Sequence, residues 1–221
     1  QKIDKSISKR DVTHFYGEIK KHSYVIAHKV TPDMAKLFAS LEPSQIENIQ
    51  KRMAQNNDKF VKEWLPKDKA DQLKVRSERV IQRAEWLFGK LSKDQEDKIK
   101  AYIVANPVDM NLIYQERLRR QQDLIAVIKD ISKKKLNQKE SEALIADYIK
   151  HFEYGRHKAQ QDLAKKREEI TLDLATFVVQ ITTDEQKKFA FERIETWIAD
   201  INSLIKESSA LAAKKSALLN R

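Results

Sequence analysis

Three observations predict an all-α fold. The 221 residues contain only three Gly and four Pro, too little turn chemistry for a β-rich chain that must turn roughly every 8–12 residues. Apolar residues recur at steps of three and four, the period of one helix face. A single start signal also recurs: an apolar residue, a capping residue, then an acid or amide three positions on. Together they predict an elongated multi-helix assembly. An irregular helical bundle spans residues 1–131, and a long antiparallel helical hairpin over 137–221 packs on it as one continuous domain.

The start signals come in order at Ile7-Ser8-Lys9-Arg10-Asp11, Leu41-Glu42-Pro43-Ser44-Gln45, Leu91-Ser92-Lys93-Asp94-Gln95, Leu136-Asn137-Gln138-Lys139-Glu140 and Thr182-Thr183-Asp184-Glu185-Gln186. Two further starts are predicted at Pro32 and Pro107, where a proline at the first helical position loses no bond. Val12, Phe15, Ile19, Ile26 and Val30 form the first stripe; Ile46, Ile49, Met53, Phe60 and Trp64 form the second, which Pro66 ends. A helix then runs from Leu73 to Phe88 and stops at Gly89, where a left-handed residue is wanted. A short helix from Ser92 to about Ala105 and one from Pro107 to about Ile131 follow, with Ser132 to Lys135 as the brief linker.

From Tyr148 to Ile181 apolar positions step on with no breaker but Gly155, so one helix is expected from Asn137 to about Gln180, roughly 65 Å long. Gly155 would cost it about 1 kcal/mol and mark any bend. The last helix carries two adjoining stripes, Ile194, Ile198, Ile201, Ile205 and Trp197, Leu204, Leu211, Leu218, and so needs partners on two sides.

Lys plus Arg number 43 against 33 Asp plus Glu, a net charge of +10. The basic residues are interleaved with acids in every helix, with Lys133 to Lys135 the one pure run. This disfavours a nucleic-acid stripe, although basic nucleic-acid binding stays among the alternatives. Attraction to anionic lipid head groups needs nothing more specific. No Cys is present, so disulfides and thiolate metal sites are excluded. His14, His22, His28, His151 and His157 show no metal-ligand spacing, and no metal is expected. A phosphate loop and a nucleophile elbow are both missing, so neither an enzyme nor a cofactor is expected. No apolar run reaches the ~20 residues of a membrane span. Because the chain opens on Gln1 rather than Met, a trimmed or mature product is expected, with any signal or lipid-acceptor Cys ahead of it.

Two polar clusters are candidate partner-binding residues. Arg76, Arg79 and Arg83 fall on one face beside Val80, Ala84 and Leu87, with Glu78 and Glu85 pointing away. Arg117 and Arg120 share a face on the next long helix, within Glu116-Arg117-Leu118-Arg119-Arg120-Gln121-Gln122. The first three ordinarily lay their stems on the core and fork onto carboxylates of a neighbour, here Glu116 or another acid of the next helix. The second pair ordinarily belongs to a solvated or inter-helix salt-bridged face. Their alternative role is a site for an anion or an acidic client.

With Arg83-Ala84-Glu85-Trp86-Leu87-Phe88-Gly89-Lys90-Leu91-Ser92-Lys93-Asp94-Gln95 and Glu116 to Gln122 in view, the chain resembles an uncharacterised family of proteobacterial lipoproteins, a domain of unknown function. Leu41 to Gln45, Thr183 to Gln186 and Phe191-Glu192-Arg193-Ile194 fit the same order, so the resemblance spans Ser8 to Leu204. It implies a non-enzymatic protein of the bacterial cell envelope, on the periplasmic side and anchored in the outer membrane by an N-terminal lipid outside this chain. Its expected partner is a protein, or an unfolded client, bound on a helical surface. The Leu-Ser-x-x-Gln starts are also similar to the LTxxQ repeats of ATP-independent periplasmic chaperones, which implies holdase activity as an alternative. A purely structural envelope spacer is the third; an exposed apolar groove would favour binding, and a fully polar exterior the spacer.

Overall fold

The computed structural model describes residues 7–65 and 68–219, with side chains to residue 207. Among the described residues there are eight helices and no strand: α1 (Lys9–Ser40), α2 (Pro43–Trp64), α3 (Lys69–Phe88), α4 (Lys93–Ala105), α5 (Met110–Lys134), α6 (Gln138–Phe152), α7 (Lys158–Ile181) and α8 (Asp184–Leu219). The all-α multi-helix assembly is therefore the fold.

Local chemistry explains most of the boundaries. On α2 the Glu42 N–H donates to Gln45 Oε1 at 2.9 Å, and Ser8 with Asp11, Ser92 with Gln95 and Asn137 with Glu140 form reciprocal caps on α1, α4 and α6. Thr183 does the same for α8: its N–H reaches Gln186 Oε1 at 2.9 Å, and the Gln186 N–H reaches its hydroxyl at 3.2 Å. Each satisfies donors that the first helical turn leaves orphaned, worth about 1 kcal/mol. Gly89 ends α3 at φ 78°, a backbone state that only glycine reaches without strain. α2 ends at Trp64 as expected; Pro66, to which that stop was assigned, lies outside the described residues.

Three predicted boundaries are corrected. Pro32 does not open a helix but sits inside α1, which runs unbroken for 32 residues. Thr31, Ala35 and Phe38 are buried there, and their packing outweighs the roughly 3 kcal/mol that an interior proline costs. Pro107 does not open α5 either. Asp109 is the N-cap, its carboxylate accepting from the Asn111 N–H at 2.8 Å, and a side-chain cap outcompetes a proline two residues earlier.

The third correction is the single helix over 137–180, which is two helices. Gly155 sits at φ 70°, its N–H bonded to His151 O at 2.9 Å. The side-chain oxygen of Gln160 then accepts from the N–H groups of Arg156 and His157, at 2.9 and 3.1 Å, and starts α7 afresh. The expected hairpin changes with it. α7 and α8 meet at the Thr182–Thr183 turn, but α8 packs along α3 rather than back along α7, with Trp86 and Trp197 stacked at 4.8 Å.

Two apolar cores result. The first joins α1, α2, α5 and α6 through Ala35, Phe38, Ile46, Ile125, Ile128, Ile131, Ile145 and Ile149. The second joins α3, α4, α7 and α8 through Ile81, Ala84, Phe88, Leu91, Ile99, Ile103, Val178 and Ala190. Each core draws on helices from both sides of the 131–137 boundary.

Candidate functional site: an arginine cleft beside an apolar helix face

The five candidate arginines do not converge. Arg76 is buried, and its guanidinium donates to the Asn106 carbonyl at 2.8 Å, tying α3 to the end of α4. Burial pulls its proton affinity below the usual guanidinium range. Arg79 reaches Glu63 of α2 at 3.5 Å and lies 5.9 Å from the Trp64 ring centroid, so the expectation of a fork onto a neighbouring helix fits it. Arg83 is exposed, with no ion pair among the described residues. Arg117 turns toward α2, its Nε 2.8 Å from Asn57 Oδ1 and its guanidinium over Phe60. Glu116, the acid expected to receive the α3 arginines, is taken instead by Arg119 of its own helix at 3.0 Å.

Arg120 goes elsewhere. It faces a cleft of about 580 Å³ between α1, α5, α6 and α7, together with Tyr16, Lys20, Tyr148, Phe152, Glu153 and Arg167. Helical spacing places Tyr16, Lys20 and Tyr24 on one face of α1, four residues apart. The break at Gly155 turns Glu153 and Tyr154 toward that face, and α7 supplies Glu168. Lys20 Nζ lies 3.1 Å from Glu153 and 3.2 Å from Glu168, and it also bonds the Tyr154 hydroxyl. Tyr154 hydrogen-bonds Glu168 in turn. Tyr16 and Tyr24 point their hydroxyls at the two oxygens of Glu153, at 3.3 and 3.4 Å.

The electrostatics divide the cleft in two. At Lys20, burial favours the neutral amine, but the bonds to Tyr154, Glu153 and Glu168 outweigh it and hold the ammonium above its usual range. Burial pushes the Tyr16, Tyr24 and Tyr154 phenols up as well, and Glu153 adds to each. On the other wall, burial and then the charge of Arg167 pull Arg120 down. Arg120 Nε is buried with no hydrogen-bond partner, and the guanidinium lies 5.0 Å from the Phe152 ring centroid.

A row of exposed apolar side chains runs beside the cleft on α1: Phe15, Ile19, Ile26, Val30 and Leu37. They recur at intervals of four and seven residues, which keeps them on one helix face, about 33 Å long. Ile19 belongs both to this row and to the cleft. A second exposed group, Ile198, Ile201, Leu204 and Ile205, lies on α8.

Sequence reasoning missed Lys20, Arg119 and Arg167. The Tyr16-Lys20-Tyr24 spacing was readable, but its partners lie some 130–150 residues away, and a helix break that the pattern hid brings them in. Arg119 is the most engaged of the α5 arginines, bonding Glu116, Asp123 at 2.8 Å and the Phe152 carbonyl at 3.0 Å. Among the described residues no cluster of side chains is suited to a metal, and no helix is long and apolar enough to cross a membrane.

The profile of a family of unknown function (DUF6279) matches residues 2–149. Both distinctive motifs, Arg83–Gln95 and Glu116–Gln122, lie inside that span; α7 and α8 lie beyond it. No curated protein and no solved structure matches the chain.

Proposed function

The chain belongs to the family of unknown function DUF6279, and from that footing we propose that it is a non-enzymatic envelope protein, lipid-anchored in its full form, that holds a protein partner on α1. The observation that carries the reading is the apolar row itself. Single exposed apolar residues are ordinary on any surface, but Phe15 and Ile26 are 61% and 62% exposed and share one stripe with three others. A row of that kind, broken by His22 and Asp33, still favours a binding face over the fully polar exterior of a spacer. The partner it suits is an amphipathic helix that lays apolar residues along the row. Lys29 and Lys36 lie on the rim, Lys36 3.7 Å from Asp33, and it is the net charge of +10 that would steer acidic flanks on that helix to the protein. The envelope location and the anchor rest on the resemblance carried by Arg83–Gln95 and Glu116–Gln122.

The test is fluorescence polarisation with an acid-flanked amphipathic helical peptide and its lysine-flanked counterpart. Acid-flanked peptide should bind at least tenfold tighter at low salt and lose affinity in the double variant I26D/V30D. Equal binding by that variant would remove α1 as the surface. The two exposed apolar groups, on α1 and α8, also favour a holdase as second reading. Suppression of light scattering from a diluted denatured client near equimolar ratio would support it, and no suppression at low or high salt would end it.

A further inference from the structure

We propose that the cleft between α1, α5, α6 and α7 is a binding site for a small carboxylate carried on an apolar body. This goes beyond the α1 surface, since Ile26 and Val30 do not line the cleft. It starts from a donor with nothing to donate to. Arg120 Nε is buried and unpaired, and neither Arg120 nor Arg167 has a side-chain hydrogen bond or ion pair among the described residues. Buried donors are almost always satisfied; this Nε is itself closed off, so what the cleft can offer a ligand is the rest of the Arg120 guanidinium, which lines it.

The nearby acids hydrogen-bond other groups, although Glu116 and Glu153 still attract Arg120 through space. Glu116 and Asp123 hold Arg119, at 3.0 and 2.8 Å. Glu153 and Glu168 hold Lys20, and Glu153 also receives Tyr16 and Tyr24. Arg167 adds a second positive charge that repels the first. Two guanidiniums facing one cavity form a fork suited to a carboxylate or a phosphate. Glu153 also lines the cleft but is paired with Lys20, so the choice of the carboxylate over the phosphate rests on the comparison of octanoate with octyl phosphate below.

Apart from Lys20 and Ser23, the rest of the cleft is apolar or aromatic. Phe152 lies under the Arg120 guanidinium, and Ile149, Ala27 and Tyr148 continue the wall. A volume of about 580 Å³ falls within the range of small-molecule sites, whose usual composition is apolar walls with a few placed polar groups.

The experiment is isothermal titration of the full chain with octanoate, 1-octanol, octylamine and octyl phosphate, followed by thermal melts. Octanoate should bind, raise the melting temperature, and exceed 1-octanol and octylamine at least tenfold. R120M should lower octanoate affinity at least tenfold, yet leave the unliganded protein as stable as the wild type or more so, because the buried unpaired Nε is gone. R167Q, at a half-exposed position, should weaken octanoate severalfold with folding unchanged, and so provides the test if R120M does not fold. Unchanged octanoate affinity in R167Q, or 1-octanol binding as tightly as octanoate, overturns the site. Octyl phosphate binding in preference to octanoate overturns the carboxylate assignment. In I26D/V30D octanoate affinity should persist; its loss would merge this cleft with the partner surface and overturn their independence.

Discussion

The α1/α2/α5/α6 half and the α3/α4/α7/α8 half are built from the same material and treat their polar edges differently. Both cores are rich in isoleucine, and Ile131 and Ile145 in the first are as fully buried as Ile99 and Ile103 in the second. At the edge of the second core, polar groups close on each other. Gln95 is buried and donates to the Ile181 carbonyl and to Gln186 Oε1, both at 2.7 Å. Gln186 donates to the Lys90 carbonyl at 2.9 Å. Two helix caps, on α4 and α8, are thereby spliced into one network. Arg193 in this half also leaves its Nε without a hydrogen bond, but it lies over two indoles, Trp86 at 4.9 Å and Trp197 at 5.7 Å. At the edge of the first core Lys20 is satisfied, while Arg120 lies over a single ring and opens on a cavity. Polar groups in the second half spend their capacity on the fold; those in the first keep some in reserve.

The largest test asks whether these halves are separate at all. I145A and I103A should each cost about 3 kcal/mol through lost burial and a residual cavity. Contacts of α2 with α3, and of α7 with both α1 and α4, lead us to expect one cooperative urea transition in each variant. Trp86 and Trp197 lie in the second half and Trp64 in the first, so in a W64F background fluorescence shifting without circular dichroism in I103A would divide the molecule into two folding units.

Removing the polar closure should matter next. Q95A strips partners from the Ile181 carbonyl and Gln186 and should cost about 2 kcal/mol. K20M, which takes the cation from Glu153 and Glu168 and leaves them only tyrosine hydroxyls, should cost about the same. The two differ in pH dependence. Lys20 is held protonated above its usual range in the folded state. Its contribution is therefore complete below the unfolded lysine pKa of about 10.4 and is lost as pH rises through the higher folded value. The gap between wild type and K20M in urea melts should stay flat from about pH 6 to 9 and narrow only above about 10.5, whereas the Q95A gap should show no such alkaline decline.

G155A sharpens the contrast by sign. In one continuous helix, alanine would stabilise by about 1 kcal/mol over glycine. Here Gly155 holds φ 70° and an added Cβ would run into the Gln160 side chain, so a loss of about 1–2 kcal/mol is expected. The smallest effect belongs to R83A, at an exposed position, which should change stability by no more than about 0.5 kcal/mol. A larger cost in thermal melts would mean that Arg83 is tied into the α3 face.

Local chemistry was legible in the sequence wherever the physics is local. Capping residues and their amides are three positions apart, so Ser8, Glu42, Ser92, Asn137 and Thr183 could be read as starts from the chain alone. Gly89 was readable as a stop for the same reason. Pro32 and Gly155 were misread in opposite directions. Burial of Thr31, Ala35 and Phe38 carries α1 through a proline, whereas Gln160 captures two N–H groups and ends a helix that the apolar period would have continued. Of the five arginines, only Arg120 reaches the cleft, because helical phase says which side chains share a face but not what that face meets.

By itself, then, the sequence determined the positive charge, together with the all-helical class, the capped boundaries and the apolar period of α1, which rest on residues within a few positions of one another. That the α1 row stays exposed was decided by the tertiary structure. Tertiary structure alone decided that α8 packs on α3, that Glu116 serves Arg119, and that Arg120 and Arg167 line one cavity without a side-chain ion pair among the described residues. Those outcomes depend on contacts between residues far apart in the chain, whose free energies are set by which surfaces meet and which charges lose their water.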